Sequence, residues 1–234
     1  MNHDEFIIFA FGVNDDATLF TPSREQAEEI VNRLGSIARN NLHIPIKLEQ
    51  ELVANMVLHQ SFEVHGMTLA VEIFTNRIVM TNPGAPLIDT NRFIDLPPKS
   101  RNDKMAQAMF LFNLCEKRGS GMDRAVAGIE AMRLPAITIE RGEDFTRARL
   151  FPLKKYTDMT RSEKVQACYQ HACLLYENGF ELTNQSLRER LGMPKNNSAG
   201  ASRIIADAVE AGLIHLSDKA PDSKKYSSYV PYYV

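Results

Sequence analysis

Between residues 51 and 59, within a helix predicted over about 47–60, the chain is apolar apart from one recurring set of polar positions. Glu51, Asn55 and His59 follow one another at intervals of four residues. Because an α-helix turns by about 100° per residue, positions four apart lie along one face. An unpaired carboxylate, amide and imidazole are costly in an apolar helix. The pattern therefore predicts a helix whose polar stripe faces a binding site or, in the structural interpretation, a polar seam between two layers.

The remaining pattern up to residue 151 predicts a mixture of strands and helices. Alternating apolar residues indicate two strands, Met67–Phe74 and Arg77–Asn82, joined by a tight turn. Residues 87–103 have no periodicity and contain several breakers, which is typical of a long mobile loop or lid. The other predicted elements are a strand at Phe6–Val13, a helix from Thr21 to Asn40, an apolar-faced helix from Met105 to Cys115, a helix from Gly121 and a hairpin over 137–151.

The pattern changes after Pro152–Thr160, which we interpret as a linker. Three helices are predicted over 161–178, 184–191 and 198–211, followed by a terminal hairpin. This order is the outline of a winged helix-turn-helix domain over 161–234, in which the recognition helix enters the major groove of DNA.

Basic, amide and hydroxyl side chains cluster around the start of the last predicted helix. Such groups bind phosphates or base edges. The residues predicted to contact DNA are Arg188, Lys195, Asn196, Asn197, Ser198, Ser202 and Arg203, with Lys224 and Lys225 in the wing. Residues 161–234 contain nine Lys and Arg and eight Asp and Glu, so the net charge of this domain is small. Protein contact or dimer assembly is therefore its alternative role.

Composition restricts these interpretations. The net charge of −2 over 234 residues gives no global basic field, so contact with nucleic acid must come from a local patch. Cys115, Cys168 and Cys173 fall in predicted helices, and the N-terminal apolar run is too short to span a membrane. We expect a cytoplasmic protein with reduced thiols. Cys168, His171 and Cys173 diverge around a helix, so we expect no zinc site.

The order of helix, strands, loop and glycine turn suits a nucleotide site. Gly119, Ser120 and Gly121 open a helix, whose unpaired N–H groups and positive dipole end attract phosphate. Asn55 can hold Mg²⁺ through its amide oxygen. Glu51 is the catalytic candidate if ATP is hydrolysed, since a carboxylate can orient or deprotonate water.

At these positions the chain resembles a known family. The relevant runs are Glu51 to Phe62, then EIFTNRIVMTNPG and EKRGSGMDR. They look like the divergent ATP-binding module of the RecG-like helicase C-terminal family and of AlbA-domain transcriptional regulators. That module is similar to the GHKL superfamily of gyrase, MutL and histidine kinases. The resemblance continues through ACYQHACLLYENGFELTNQSLRERLG and KKYSSYVPYYV.

The resemblance implies an α+β chain with a GHKL-like, Bergerat-type α/β sandwich over 47–152. A strand-helix segment over 1–46 precedes it, and the winged helix follows. The resemblance implies a water-activating carboxylate at Glu51 and a magnesium-holding amide at Asn55. The expected nucleotide-binding residues are Asn55, His59, Asn82, Gly84, Gly119, Ser120 and Gly121.

The chain departs from the superfamily at the turn that reads adenine. An Asp-x-Gly-x-Gly turn is usual there, whereas this chain has Asn82-Pro83-Gly84-Ala85-Pro86. Asn82 can accept a hydrogen bond from an adenine amine, but without a charge, which weakens the contact.

The sequence thus predicts a homodimeric, DNA-binding transcriptional regulator with a degenerate or regulatory site for ATP and Mg²⁺, and at most weak ATPase activity. The cations predicted to reach the phosphates from the loop are Arg92, Lys99, Arg101 and Lys104. One alternative is an ATPase of a DNA repair or defence assembly whose winged helix contacts a partner. Another is an interaction module in which the old site is inactive.

Overall fold

The structure is a computed structural model. It describes residues 7–11, 46–74, 76–97, 99–111, 121–218 and 227–234, with the backbone alone for 7–11 and 46–51. The predicted helix from Thr21 to Asn40 lies outside the described residues.

Contacts between Cα atoms divide the chain into two compact units. Unit 1 comprises Met1–Ala125 and Ile137–Pro152, and unit 2 comprises Val126–Ala136 and Leu153–Val234. Residues 126–136, which the sequence analysis assigned to the first domain, thus cluster with the second unit.

Unit 1 contains a five-stranded antiparallel sheet in the order β1-β2-β3-β5-β4. Its strands are β1 (Ile7–Phe11), β2 (Leu69–Phe74), β3 (Arg77–Pro83), β4 (Thr138–Arg141) and β5 (Phe145–Leu150). Burial alternates along β2, as expected of a strand with one face in the core. The central strand β3 is buried at every position after Arg77, which indicates that both of its faces are covered.

Three helices are described between residues 46 and 131: α1 (Ile46–His59), α2 (Asp103–Leu111) and α3 (Gly121–Ala131), of which α3 begins in unit 1 and ends in unit 2. Helix α1 confirms the striped helix predicted over 47–60, and it lies against β3. Leu52 and Met56, one turn apart, are buried in the core of unit 1. The last residues of the helix predicted to reach Cys115 lie outside the described part of the chain.

Unit 2 contains three helices, α4 (Arg161–Glu177), α5 (Asn184–Leu191) and α6 (Ser198–Glu210). Their ends agree with the predicted ends to within one residue. Strands β6 (Leu182–Thr183), β7 (Ile214–Leu216) and β8 (Ser228–Pro231) form an antiparallel sheet in the order β6-β8-β7. No helix in the described ranges is long and apolar enough to cross a membrane.

Local capping explains where two of these helices begin. Thr160 and Glu163 form a reciprocal capping box at the start of α4, and Thr183 and Ser186 do the same at α5. These side chains satisfy backbone groups that a helix end leaves unpaired. Gly192 ends α5 with a φ of +62°, a conformation that glycine adopts without strain.

A buried charge cluster lies in the core of unit 2. Glu130 Oε2 is 2.9 Å from His171 Nδ1, and its Oε1 is 3.3 Å from Arg190 Nε. Arg190 also donates to the Leu134 carbonyl at 2.8 Å. Burial lowers the pKa of Arg190, whereas the neighbouring Glu130 carboxylate raises it. Glu130 therefore supplies the negative charge that the buried guanidinium needs.

Replacing this carboxylate should destabilise unit 2. We expect Glu130→Ala to lower the free energy of unfolding by about 3–5 kcal/mol, because it leaves Arg190 buried without its counter-charge. Urea unfolding followed by tyrosine fluorescence would measure the change. The control is Glu210→Ala, which removes an exposed partner of Arg161 and should have little effect. Equal losses in the two variants would contradict a buried role for Glu130.

Candidate functional site

A cavity of about 290 Å³ lies in unit 1, and we call it the α1 pocket. The sheet contributes Met80, Asn82, Ile139, Thr146 and Ala148 to its lining, and α1 contributes Leu52, Asn55, Met56 and His59. Residues 85–101, which we call the roof segment, cover part of it. The first turn of α3 adds Gly121, Met122 and Arg124.

The polar stripe of α1 faces this pocket. Asn55 and His59, one turn apart, both line it. The side-chain nitrogen Nδ2 of Asn55 is buried and has no hydrogen-bond acceptor among the described residues. An unsatisfied buried donor costs about 1–3 kcal/mol, so a ligand that brings an acceptor oxygen would remove a penalty. Glu51 lies one turn earlier on α1, and its side chain is outside the described part of the structure.

Arg101, the last residue of the roof segment, and Asn102, the residue after it, fix this segment to the end of α1. Arg101 donates from Nη2 to the Ala85 carbonyl at 2.6 Å and from Nε to the His59 carbonyl at 3.3 Å. Asn102 Nδ2 donates to the carbonyls of Leu58 and Gln60 at 2.9 and 2.8 Å. The three contacts to Leu58, His59 and Gln60, which we call the α1 latch, satisfy carbonyls at the end of the helix that would otherwise be unpaired.

The structure places the four loop cations differently from the phosphate-binding roles that the sequence predicted. Arg101 lines the pocket, but it already donates hydrogen bonds to backbone carbonyls. Arg92 is paired with Asp95. Lys99 lines the pocket, whereas Lys104 is absent from its described lining. Sequence reasoning missed Arg124, although its position three residues after Gly121 places it on the same helix face. The α1 pocket thus has cations from both the roof and α3.

The environment of His59 favours its neutral form. Burial lowers its pKa, and the positive charge of Arg101 lowers it further. Both causes act against a second positive charge at this position. His59 is therefore an uncharged hydrogen-bonding group near neutral pH.

Asn82 lines the sheet side of the pocket, whereas Gly84, also predicted to bind nucleotide, is absent from its described lining. Asn82 is only 6% exposed and pairs across the sheet with Thr146. Gly84 has a φ of +99°, and a Cβ there would lie 2.8 Å from Ser61 Cβ and 3.2 Å from Arg101 Cζ. Its carbonyl accepts a hydrogen bond from Thr146 Oγ1 at 2.8 Å. Glycine at this position allows the roof side chain Arg101 to approach the strand end.

The predicted phosphate turn is described only in part. Gly121 begins α3 and lines the pocket, whereas Gly119 and Ser120 lie outside the described residues. Gly121, Met122 and Arg124 line the pocket from the first described turn of α3, and a helix N-terminus there would suit an anionic ligand.

The described residues also indicate how a magnesium ion could be held. They contain no cluster of three or more His, Cys, Asp or Glu side chains able to hold a metal. A magnesium ion can still fit as part of a nucleotide, because it usually keeps waters and takes phosphate oxygens as ligands. Asn55 is the side chain in the pocket whose amide oxygen could complete that set.

Unit 2 divides the predicted DNA contacts into two groups. Asn197 caps α6 by accepting from the Gly200 amide, and its Nδ2 donates to Tyr156 Oη at 3.0 Å. Arg188 donates to Asn184 Oδ1 and to the Lys195 carbonyl. Ser202 accepts a hydrogen bond from Asn184. These side chains therefore hold the α5–α6 turn together.

The second group remains on the surface. Lys195, Asn196, Ser198 and Arg203 are exposed, and in the described residues no side chain pairs with Lys195, Asn196 or Arg203. Lys224 and Lys225 lie outside the described part of unit 2. The exposed group is concentrated at the start of α6, where the sequence predicted it.

The lowered pKa of His59 predicts how the stability of unit 1 depends on pH. In the unfolded chain His59 binds a proton near the ordinary histidine pKa of 6.5, above the folded pKa, so unit 1 should lose stability as pH falls below 6.5. An NMR titration of the His59 ring should give a pKa below that ordinary value. Arg101→Gln should raise this pKa while leaving it below the ordinary value, because burial is the larger cause. Arg141→Gln, at an exposed position outside the pocket lining, should leave it unchanged, and a folded pKa at or above the ordinary value would contradict the buried environment.

Comparison with known proteins supports an ATPase-type module in unit 1. Residues 66–150 match the family model described as "Putative ATP-dependent DNA helicase recG C-terminal". No curated protein matches the chain. A solved structure, the DIP2311 protein from Corynebacterium diphtheriae, is similar in fold, with a TM-score of 0.53 and 16% sequence identity. The match covers 95% of this chain and 49% of that one, so this chain spans about half the length of that protein. The family match supports a GHKL-like module and suggests nucleotide binding.

Proposed function

We propose that unit 1 binds a nucleotide in the α1 pocket. The buried Nδ2 of Asn55 carries this proposal, because it is a donor without an acceptor among the described residues, in a cavity that also receives cations. A phosphate oxygen is the acceptor that best matches such a donor, since hydrogen bonds to charged groups are the stronger ones. The match of residues 66–150 to an ATPase-type family supports the same ligand class.

The distribution of charge around the pocket suggests how the ligand lies. The sheet side carries only neutral side chains in its described lining, namely Met80, Asn82, Ile139, Thr146 and Ala148. Lys99, Arg101 and Arg124 come from the roof segment and α3. We therefore place the base against the sheet and the phosphates toward these cations. The cavity volume of about 290 Å³ is at the lower end for ligand sites, which suits a single nucleotide.

We propose binding and not turnover as the main role of this site. The described lining has three cations and two amides, and none of its members is a carboxylate able to activate water. An ATPase role in a repair or defence assembly depends on Glu51, which lies one turn before Asn55 on α1. Weak hydrolysis would be compatible with a regulatory site.

We further propose that unit 2 is a winged helix-turn-helix domain that binds duplex DNA. Its order of elements, α4-β6-α5-α6-β7-β8 with a three-stranded antiparallel sheet, supports this assignment. The α5–α6 turn is internally braced, and the start of α6 leaves Lys195, Asn196 and Arg203 exposed. A rigid helix with accessible cationic and amide side chains is suited to enter the major groove.

Together these assignments suggest a cytoplasmic transcriptional regulator that acts as a homodimer and responds to a nucleotide. Protein contact through unit 2 is the competing role. In that case the exposed residues at the start of α6 would bind a partner and not DNA.

The nucleotide proposal predicts a specific effect at Asn55. Calorimetric titration of ADP and ATP with magnesium should show saturable binding, and Asn55→Ala should weaken it by about 10–100-fold, the loss of one hydrogen bond to a charged group. Asn76→Ala removes an exposed amide outside the described pocket lining and should leave binding unchanged. No heat at up to millimolar nucleotide would refute nucleotide binding by this chain.

The DNA proposal predicts a salt-dependent effect at α6. Lys195→Ala and Arg203→Ala should each weaken binding to a mixed-sequence duplex and reduce the salt slope by about one unit per lost phosphate contact. Fluorescence anisotropy at several salt concentrations would measure both. Arg141→Ala removes the same charge from an exposed position in unit 1 and is the matched control.

Two outcomes would overturn parts of this proposal. Absence of binding at low salt would leave unit 2 as a protein-interaction domain. Equal DNA affinity with and without ADP would show that the nucleotide does not regulate DNA binding.

A further inference from the structure

Asn82 has a side chain whose hydrogen-bonding capacity is largely unused. It lines the α1 pocket and is 6% exposed, so its carboxamide can reach little besides the cavity. Its only described side-chain hydrogen bond runs from Nδ2 to the Pro83 carbonyl at 3.5 Å, which is longer than ordinary N–H···O bonds. Among the described residues, Oδ1 of Asn82 has no hydrogen-bond donor. The amide is therefore available to a ligand.

A carboxamide differs from a carboxylate in what it can recognise. It presents a donor and an acceptor side by side, whereas an ionised carboxylate only accepts. The adenine edge offers an amine donor beside a ring-nitrogen acceptor. The guanine edge offers a ring N–H donor that lies between a carbonyl acceptor and an amine donor. A carboxamide pairs with either edge after its donor and acceptor exchange places by rotation of the amide.

The surroundings of Asn82 do not select one orientation of this amide. The contact to Pro83 is too long to fix Nδ2, and the hydroxyl proton of Thr146 is donated to the Gly84 carbonyl at 2.8 Å. Thr146 Oγ1 can therefore only accept toward the pocket. Both purines carry N–H groups that can meet this acceptor. In the described lining, the sheet side of the pocket also has no charged residue that would reject the carbonyl of guanine.

We propose that the α1 pocket accepts both adenine and guanine nucleotides and that Asn82 determines this dual specificity. The proposal rests on the nucleotide binding proposed above. It assigns Asn82 a role in base recognition that is separate from the role of Asn55 toward the phosphates.

Competing titrations of ADP and GDP test the proposal. On the unchanged chain, the two dissociation constants should agree within about tenfold, since each base makes two hydrogen bonds with the same amide. Asn82→Asp should weaken ADP relative to GDP by more than about tenfold, because a carboxylate can accept from both adjacent N–H donors of guanine but faces the adenine ring nitrogen without a donor. The added charge repels the phosphates of both ligands alike, so it cancels in the ratio. Asn76→Asp makes the same chemical change at an exposed position and should leave the ratio unchanged.

The outcomes separate this proposal from the one on which it rests. If ADP binds and GDP does not, dual specificity is wrong and nucleotide binding stands. If neither binds, both proposals fail. An ADP-to-GDP ratio unchanged in Asn82→Asp would remove Asn82 from base recognition. The comparison on the unchanged chain requires no variant, so a folding defect in Asn82→Asp cannot hide a negative result.

Discussion

The carbonyl groups at the C-terminal end of α1 impose the constraint on which the pocket depends. Helix ends leave such carbonyls without partners, and the partly buried end of α1 cannot rely on water for all of them. Arg101 and Asn102 supply the missing donors from more than 40 residues along the chain. The segment before them is consequently drawn over the cavity. Gly84 completes the arrangement, since a side chain there would collide with Ser61.

Both units contain buried polar atoms that lack a described hydrogen-bond partner. In unit 2 the charges of Glu130 and Arg190 compensate each other, and His171 lies against the same carboxylate. In unit 1 the Asn55 amide projects into a cavity without a described acceptor. Native proteins rarely leave buried donors unpaired, and the exceptions tend to mark functional positions. An unpaired atom alone does not mark a site, since His171 Nε2 in unit 2 is also buried without a described partner; Asn55 differs because it lines a cavity.

Features set by neighbouring residues could be predicted from the sequence. The spacing of Asn55 and His59 indicated their shared face on α1, and turn residues bounded β2 and β3. The N-terminal end of α4 is also encoded locally, by Thr160 and Glu163. In each case the interacting positions lie within one helical turn or on one strand, so their spacing contains the information.

Contacts between distant positions could not be predicted in the same way. Asn102 reaches Leu58 across 44 residues, and Thr146 reaches Gly84 across 62. Neither pair has a spacing that reveals it. The sequence indicated the cluster of polar and basic residues around the start of α6. It did not indicate which of them brace the α5–α6 turn and which are exposed. The capping role of Asn197 had a local signal, since a polar residue just before an apolar helix is a typical N-cap.

The latch also limits how strongly a ligand can regulate unit 1. A ligand shifts an equilibrium only by its difference in affinity for the two states. A typical hydrogen bond contributes about 0.5–1.5 kcal/mol, so opening a latch of three bonds costs about 1.5–4.5 kcal/mol. Each 1.4 kcal/mol of this difference is about a tenfold change in population. A ligand that replaces Asn55's missing acceptor and touches the roof can supply energy of this size. A ligand that opened the latch would therefore have to bind the open state more tightly by this amount, whether or not it is hydrolysed.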